Sequence, residues 1–181
     1  SCKKIKSFQH GNIKLILPYP RGKISSSEDP SIRGLTEKNI DQLRGMMMEK
    51  GRNPYARIEI ENARTILINS IREIKKDLYM SRIDKGWTVV LIFDAEKLCI
   101  PQPTAANALL KVLEEPPEKT IFILVTSEVS VMMDTIRSRC QQIYFPPLPS
   151  SFIENKLKQH EVSDDKVKVI SNIANGNIRL A

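Results

Sequence analysis

The sequence has few of the features on which membrane, secreted and disulfide-rich proteins depend. No apolar run approaches the ~20 residues that a helix needs to cross a bilayer, and the polar start is unlike a secretory signal. The three cysteines, Cys2, Cys99 and Cys140, are odd in number and far apart, which argues against a disulfide framework. We therefore expect a cytoplasmic protein without membrane contact. The chain also lacks an initiator Met, and we expect it to be a fragment of a longer protein.

Aromatic residues are scarce, at 6%, and the charges are unevenly distributed. Residues 1–60 contain 12 Lys and Arg against 6 Asp and Glu, whereas the other residues contain 16 against 15. A basic segment of this kind either contacts nucleic acid or keeps the protein in solution. Its aromatics are limited to Phe8, Tyr19 and Tyr55, so it offers few platforms for base stacking. Both interpretations remain open.

A glycine-rich phosphate loop is also missing from the sequence. Such a loop reads Gly-x-x-x-x-Gly-Lys-Ser/Thr, whereas Gly22-Lys23 has Leu17 at the first glycine position and Ile24 after the lysine. Without a cradle of backbone N–H groups for phosphate, we expect this chain to bind ATP weakly or not at all. We therefore expect it to carry no cofactor of its own.

Strand and helix patterns alternate along the chain. Strands are predicted over residues 13–17, 87–93, 120–125 and 142–145. Helices are predicted over residues 36–50, 66–80, 104–115, 151–160 and 164–175, the first with Thr36 as its N-cap. The continuous apolar runs of the two middle strands are typical of a parallel sheet covered on both faces, which predicts an α/β fold. A proline-rich segment around Leu148 predicts a hinge.

An acidic residue follows the apolar run Val90 to Phe93. Asp94 has the position of a Walker B carboxylate, which holds the Mg²⁺ of a nucleotide, but an Asp that caps a turn gives the same pattern. In hydrolytic enzymes of that kind a Glu comes next and activates water. Here the methyl group of Ala95 cannot accept a proton, so the base is missing. Glu96 is predicted to be a solvated loop residue or to start a helix.

Two further strings are distinctive. The first is Ala-Ala-Asn-Ala-Leu-Leu-Lys-Val-Leu-Glu-Glu-Pro-Pro, at 105–117, and the second is Thr-Ile-Arg-Ser-Arg-Cys-Gln, at 135–141. Together with Asp94-Ala95-Glu96, and at this spacing, they resemble the AAA+ clamp-loader subunits of bacterial DNA polymerase III, in particular the delta-prime subunits. The resemblance covers roughly residues 66–181 well and residues 1–20 more loosely.

The resemblance implies an incomplete AAA+, P-loop NTPase-like domain over residues 1–148 and part of a small helical lid over residues 149–181. It implies a largely non-catalytic subunit whose partners are the gamma/tau ATPase and delta subunits, and, through their complex, the sliding clamp and primed DNA. ATP and Mg²⁺ would bind at the neighbouring subunit. One alternative is an ATP-hydrolysing gamma/tau-type subunit whose phosphate loop is missing here, and another is a basic nucleic-acid-binding module.

The same resemblance implies a role for the Ser-Arg-Cys motif, Ser138, Arg139 and Cys140. In the family this arginine acts in trans, as a finger in the ATP site of the next subunit. A guanidinium is permanently charged and forked, which suits a phosphoryl group in transfer. Arg137 competes for the role, and a surface ion pair is the alternative for an isolated Arg. Cys140 is predicted to be a small buried residue.

Three other site residues are implied by the resemblance. Thr126, with Ser127 beside it, matches a sensor of the γ-phosphate, although a hydroxyl at a strand end also caps turns. Arg179, in Gly-Asn-Ile-Arg, matches the lid's second sensor, although it also fits an exposed Arg at a helix start. Cys2 matches the last ligand of a four-Cys zinc module, so it would bind zinc only in the intact protein and none here. His10 is predicted to lie on the surface.

Overall fold

The computed structural model describes most of the chain, namely residues 4, 5, 8, 10–22, 24, 26, 29–80, 86–160 and 162–180. It divides the chain into two compact units, Ser1–Asn53 with Arg57–Gln141, and Pro54–Ala56 with Gln142–Ala181. The domain boundary predicted at residue 148 stays a prediction. No helix among the described residues has the length and apolar character needed to span a membrane.

The first unit is built on a parallel sheet of three strands, which lie side by side in their chain order. The strands are β1, Ile13–Ile16, β2, Thr88–Ile92, and β3, Thr120–Leu124. Ile16 pairs with Ile92, and Ile92 pairs with Leu124, so all three strands end at the same edge. The predicted α/β fold class is confirmed, and the predicted strands over 13–17, 87–93 and 120–125 differ from the observed ones by one or two residues at their ends.

Helices cover one face of this sheet. The first unit has α1, Glu37–Arg52, α2, Ile68–Met80, α3, Thr104–Glu114, and the single turn α4, Asp134–Arg137. The core cluster joins the inward residues of the strands to α2, α3 and α4; it includes Ile16, Ile71, Val90, Ile92, Leu109 and Ile136. β-strand residues alternate between faces, so Ile121 and Ile123 of β3 point away from this core and are exposed.

The start of α1 follows the prediction from the sequence, and its end does not. The Thr36 hydroxyl accepts a hydrogen bond from the Asn39 N–H at 3.2 Å, and the Asn39 side chain accepts one from the Thr36 N–H at 3.1 Å. This reciprocal capping box fixes the first turn. The helix continues through Gly51 to Arg52, two residues past the predicted end, because one glycine does not stop a helix whose other residues favour it.

The second unit contains two helices, α5, Ser150–Gln159, and α6, Asp164–Ala174. Their shared core consists of Ile153, Leu157, Val167 and Ala174. Gly176, which follows α6, accepts a hydrogen bond from the Leu148 N–H at 3.0 Å. Its φ of +81°, and the Pro147 Cβ 2.3 Å from where its own Cβ would lie, both require glycine. Both predicted helices of this region are confirmed to within a residue.

The strand predicted over residues 142–145 is wrong. The segment has no strand assignment, and the side chains of Ile143, Tyr144 and Phe145 are 71%, 81% and 83% exposed. Aromatic and β-branched residues fit a pleated, half-buried surface, but a strand also needs a neighbour with which to exchange backbone hydrogen bonds. None of the three described strands supplies that neighbour.

Candidate functional site

The segments that follow β2 and β3 are held together by backbone hydrogen bonds. The Val125 N–H donates to the Ile92 carbonyl at 2.8 Å, and the Ala95 N–H donates to the Val125 carbonyl at 2.9 Å. As a result, Asp94 and Thr126, each the second residue after its strand, lie at one edge of the sheet. Loops at the carboxyl ends of parallel strands are where α/β proteins bind ligands.

Asp94 is paired with a lysine of its own turn. Its backbone is left-handed, with φ +49°, and it leads into the 3-10 helix Ala95–Leu98. The Lys97 Nζ lies 3.2 Å from Asp94 Oδ2 and 3.4 Å from the carbonyl oxygen of Ala63. A carboxylate that holds Mg²⁺ needs further oxygen ligands around the metal. In this structure the carboxylate is paired with the Lys97 ammonium group, and the Walker B-like role of Asp94 stays a prediction.

Glu96 is buried rather than solvated, which corrects the loop prediction. It is 7% exposed and lies in the first turn of the 3-10 helix, in agreement with the alternative prediction that Glu96 starts a helix. Its Oε2 accepts a hydrogen bond from the Thr126 hydroxyl at 2.6 Å. That hydroxyl in turn accepts the Glu128 N–H at 3.1 Å, which is the turn-capping contact expected of a hydroxyl here. The γ-phosphate sensor role of Thr126 stays a prediction.

The Ser-Arg-Cys residues follow a turn that is anchored in the core. Met132 and Ile136 are buried in the core cluster, on either side of the start of α4. The Ser138 hydroxyl donates to the Thr135 carbonyl at 3.2 Å. The Arg139 N–H donates to the Ile136 carbonyl at 3.1 Å, which continues the helical turning of the backbone by one residue.

The guanidinium of Arg139 is at the surface of the first unit. Its Nη1 donates to the Thr135 carbonyl at 2.7 Å, and its Nη2 forms an ion pair with Glu114. The two side chains are 32% and 48% exposed. Arg139 is therefore neither buried nor isolated, and a molecule docking at this surface can reach it.

Arg137 and Cys140 differ from Arg139 in their surroundings. Arg137 pairs with Asp134 of its own turn at 3.0 Å, and its Nε is buried with no hydrogen-bond partner among the described residues. Cys140 is half-buried beside the core cluster, so the prediction of a small buried residue is met only in part. That burial raises the pKa of the Cys140 thiol, which disfavours the reactive thiolate.

Three predicted site residues remain, namely Ser127, Arg179 and Cys2. Ser127 is exposed beyond Thr126. Arg179 is exposed in the second unit, where its backbone N–H donates to the Asn177 side chain at 3.0 Å. Cys2 lies outside the described residues. Among the residues that are described, no group of three or more His, Cys, Asp or Glu side chains is placed to hold a metal ion.

Two residues that pair with predicted site residues, Lys97 and Glu114, were not predicted from the sequence. Lys97 lies three positions after Asp94, a spacing that brings side chains together in a helical turn, so its pairing had a detectable signal. Glu114 is separated from Arg139 by 25 positions and by a strand. Nothing local in the sequence links those two residues, and only the packing of α3 beside α4 brings them into contact.

Comparison with protein families and curated proteins gives consistent results. A family model described as "DNA polymerase III, delta subunit" matches residues 1–149. The delta' subunit of DNA polymerase III from Bacillus subtilis is 29% identical over 71% of this chain and 38% of its own length. The Escherichia coli delta' subunit is 36% identical over 64% of this chain and 34% of its own length.

A gamma subunit is similar to the same degree. The DNA polymerase III gamma subunit of Buchnera aphidicola from Schizaphis graminum is 36% identical over 67% of this chain and 34% of its own length. The chain thus spans little more than a third of these curated relatives. Among solved structures, a DNA polymerase III gamma-subunit-related protein from Thermotoga maritima has a TM-score of 0.45 and 22% identity, and covers 97% of this chain and 57% of its own.

Proposed function

We propose that this chain, which belongs to the DNA polymerase III delta-subunit family as a delta-prime-like clamp-loader member, is a largely non-catalytic subunit that donates Arg139 in trans. Arg139 would reach the ATP·Mg²⁺ of a neighbouring gamma/tau-type ATPase. Hydrolysis there would help to load the sliding clamp on primed DNA. The proposed complex also contains the delta subunit, and we propose that it acts in the bacterial cytoplasm.

The observation that carries this proposal is the accessible guanidinium of Arg139 on a core-anchored turn. A finger must keep its charge, reach beyond its own chain and sit on a rigid support. Arginine stays protonated in proteins, the side chain is 32% exposed, and the buried Ile136 fixes the backbone three residues earlier. Arg137 is also ion-paired, and its side chain is 38% exposed, so exposure and pairing do not separate the two arginines; its buried Nε and the Ser-Arg-Cys resemblance favour Arg139.

The non-catalytic part of the proposal is supported by the strand-end cluster. Ala95 occupies the position of the hydrolytic base and cannot accept a proton. Asp94 is engaged by Lys97. These residues could still line a nucleotide site in an intact protein, but they lack the group that would activate water.

An ATP-hydrolysing gamma/tau-type subunit is the second candidate. The 36% identity to a gamma subunit equals that to the E. coli delta' subunit, and this supports keeping it. The two candidates predict opposite results for the isolated full-length protein. Steady ATP turnover without partners would favour the gamma/tau-type subunit, and only background turnover would favour the non-catalytic subunit.

Cys2 carries a separate proposal about the intact protein. We propose that it is the last ligand of a four-cysteine zinc module, as the resemblance to the clamp-loader family implies; one thiolate alone cannot hold a structural zinc, which takes four ligands. Elemental analysis of the full-length protein before and after Cys2→Ser tests this. About one zinc per chain that is lost in the variant is expected, and zinc retained in full would contradict the assignment.

The test of the finger is Arg139→Ala in the full-length subunit, reconstituted with its gamma/tau and delta partners, clamp and primed DNA. Hydrolysis at the ATP site that Arg139 faces should slow by about 10³-fold or more, since fingers contribute about 10³–10⁵ in rate. Total turnover should fall to what the other sites support. Arg139→Lys should restore little, because an ammonium cannot replace the guanidinium fork.

Arg137→Ala is the matched control, as it removes the same charge two residues away. It should leave hydrolysis near the wild-type rate if the complex assembles. Unchanged hydrolysis in Arg139→Ala would refute the finger assignment, and a loss seen only in Arg137→Ala would transfer the role to that residue.

A further inference from the structure

Arg139 is held at two points by its own chain. Its Nη1 donates to the Thr135 carbonyl at 2.7 Å, and its Nη2 contacts the Glu114 carboxylate. Glu114 is the last residue of α3, and α3 is fixed by Leu109 and Val112, each 1% exposed. The carboxylate is therefore carried by a rigid element rather than by a loop.

Two contacts on different nitrogens restrict a guanidinium far more than one contact does. The group is planar, so anchoring both terminal nitrogens defines the direction of the fork. A guanidinium has five N–H donors, and the two in use leave the others for an incoming phosphate. A side chain that is oriented beforehand loses less conformational freedom when it binds its target.

We propose that Glu114 is a positioning residue, which holds the guanidinium of Arg139 in the orientation that meets the neighbour's γ-phosphoryl group. The proposal rests on the finger function of Arg139. Glu114 itself touches no phosphate in this scheme, and it acts only through Arg139. The Thr135 carbonyl provides the second support, from the backbone of α4.

The opposite role would be competition, in which Glu114 withdraws Arg139 from phosphate. The exposure of the pair argues against it. Glu114 is 48% exposed, and an ion pair in contact with water is weak and screened. A nucleotide phosphate with its several negative charges makes stronger, bidentate contacts with a guanidinium. Glu114 is therefore too weak a partner to keep Arg139 from a phosphate, but together with the Thr135 carbonyl it favours one orientation of the guanidinium.

The experiment uses Glu114→Ala, Glu114→Gln and the control Glu115→Ala in the full-length subunit of the reconstituted clamp loader. Glu115 is adjacent, exposed and of the same charge. At the site that Arg139 faces, Glu114→Ala should lower the maximal rate of ATP hydrolysis about two- to fivefold, as expected for one exposed ion pair. The KM for ATP should stay constant, since the lost contribution is to the transition state.

The conservative variant and the control sharpen the result. The amide oxygen of Glu114→Gln can still accept from Nη2, so this variant should recover part of the rate. Glu115→Ala should match the wild type. A higher rate in Glu114→Ala would mean competition and overturn the proposal, and so would a loss in Glu115→Ala as large as that in Glu114→Ala.

The decisive measurement combines Glu114→Ala with Arg139→Ala. If Glu114 acts only through Arg139, the double variant should hydrolyse ATP at the rate of Arg139→Ala alone. A further drop equal to that seen with Arg139 present would assign Glu114 a general structural role and overturn the proposal. If Arg139→Ala alone leaves hydrolysis unchanged, it is the finger function that fails, and that result is distinguishable from a failure of Glu114 alone.

Discussion

Two of the charged pairs in the first unit differ in depth and in the sequence separation of their partners. Asp94 and Lys97 are three residues apart in one turn, and their side chains are 25% and 19% exposed. Arg139 and Glu114 come from separate helical segments and are more exposed. Burial strengthens the Coulomb attraction within an ion pair at a cost in desolvation and makes the loss of one partner costly, whereas exposure leaves a pair weak and replaceable.

This difference distinguishes a charge that is compensated within the fold from a charge that a ligand can reach. Asp94 has the sequence position of a metal-binding carboxylate, yet its charge is compensated within the chain. Arg139 has a partner that water and salt weaken, so an incoming anion can engage its free donors. A charged residue in a motif therefore supports a binding role only when its own chain leaves it accessible.

The largest effect on stability is expected from Lys97→Met. It leaves the Asp94 carboxylate partly buried and unpaired, and should lower the free energy of unfolding by about 2–3 kcal/mol. Urea denaturation followed by circular dichroism measures it. The double variant Asp94→Asn with Lys97→Met should lose less than Lys97→Met alone. Equal losses would show that the pair is not coupled.

Glu96→Ala should have an intermediate effect. It removes the acceptor of the Thr126 hydroxyl from a buried position and should cost about 1–2 kcal/mol in the same denaturation measurement. The exposed Glu128 offers a control, since Glu128→Ala removes an acid at the same edge without losing a side-chain contact to Thr126. If both variants unfold at the same urea concentration, the buried contact contributes nothing measurable.

The smallest effect on stability is expected from Glu114→Ala, at about 0.2–1 kcal/mol, because its pair with Arg139 is exposed. The difference from wild type should shrink further in 1 M salt, where exposed charges are screened within about 3 Å. Glu115→Ala serves again as the control. A loss as large as that of Lys97→Met would show that the exposed pair is structural, and the contrast between the two pairs would disappear.

Secondary structure was predictable wherever local pattern and tertiary packing require the same thing. The central strand pairs with a neighbour on each side and buries Val90 and Ile92 in the core, although Val89 and Leu91 on its other face are only half-buried, and Thr36 precedes a helix that its side chain caps. Residues 142–145 have equally strong β propensity but no strand to pair with among the described residues. Propensity is local, whereas pairing depends on residues far away in the sequence.

The candidate site was likewise predictable only where the signal is local in the sequence. The motif around Arg139 was recognisable as a string, and the absence of a base at position 95 follows from one residue. The burial of Glu96 was not recognisable, because an acid after a strand is ordinarily solvated. Its contact with Thr126 depends on the neighbouring strand, whose register no local pattern reveals.

The sequence by itself determined the fold class, the places of the three strands that form the sheet and the chemical identity of the groups at positions 94, 95 and 139. Only the tertiary structure decided which charges are compensated, because that depends on what packing brings within hydrogen-bonding distance. Lys97 satisfies Asp94 inside one turn, whereas Glu114 reaches Arg139 only because α3 and α4 share a core. Side-chain identity is encoded residue by residue, but electrostatic environment is a property of the folded surface.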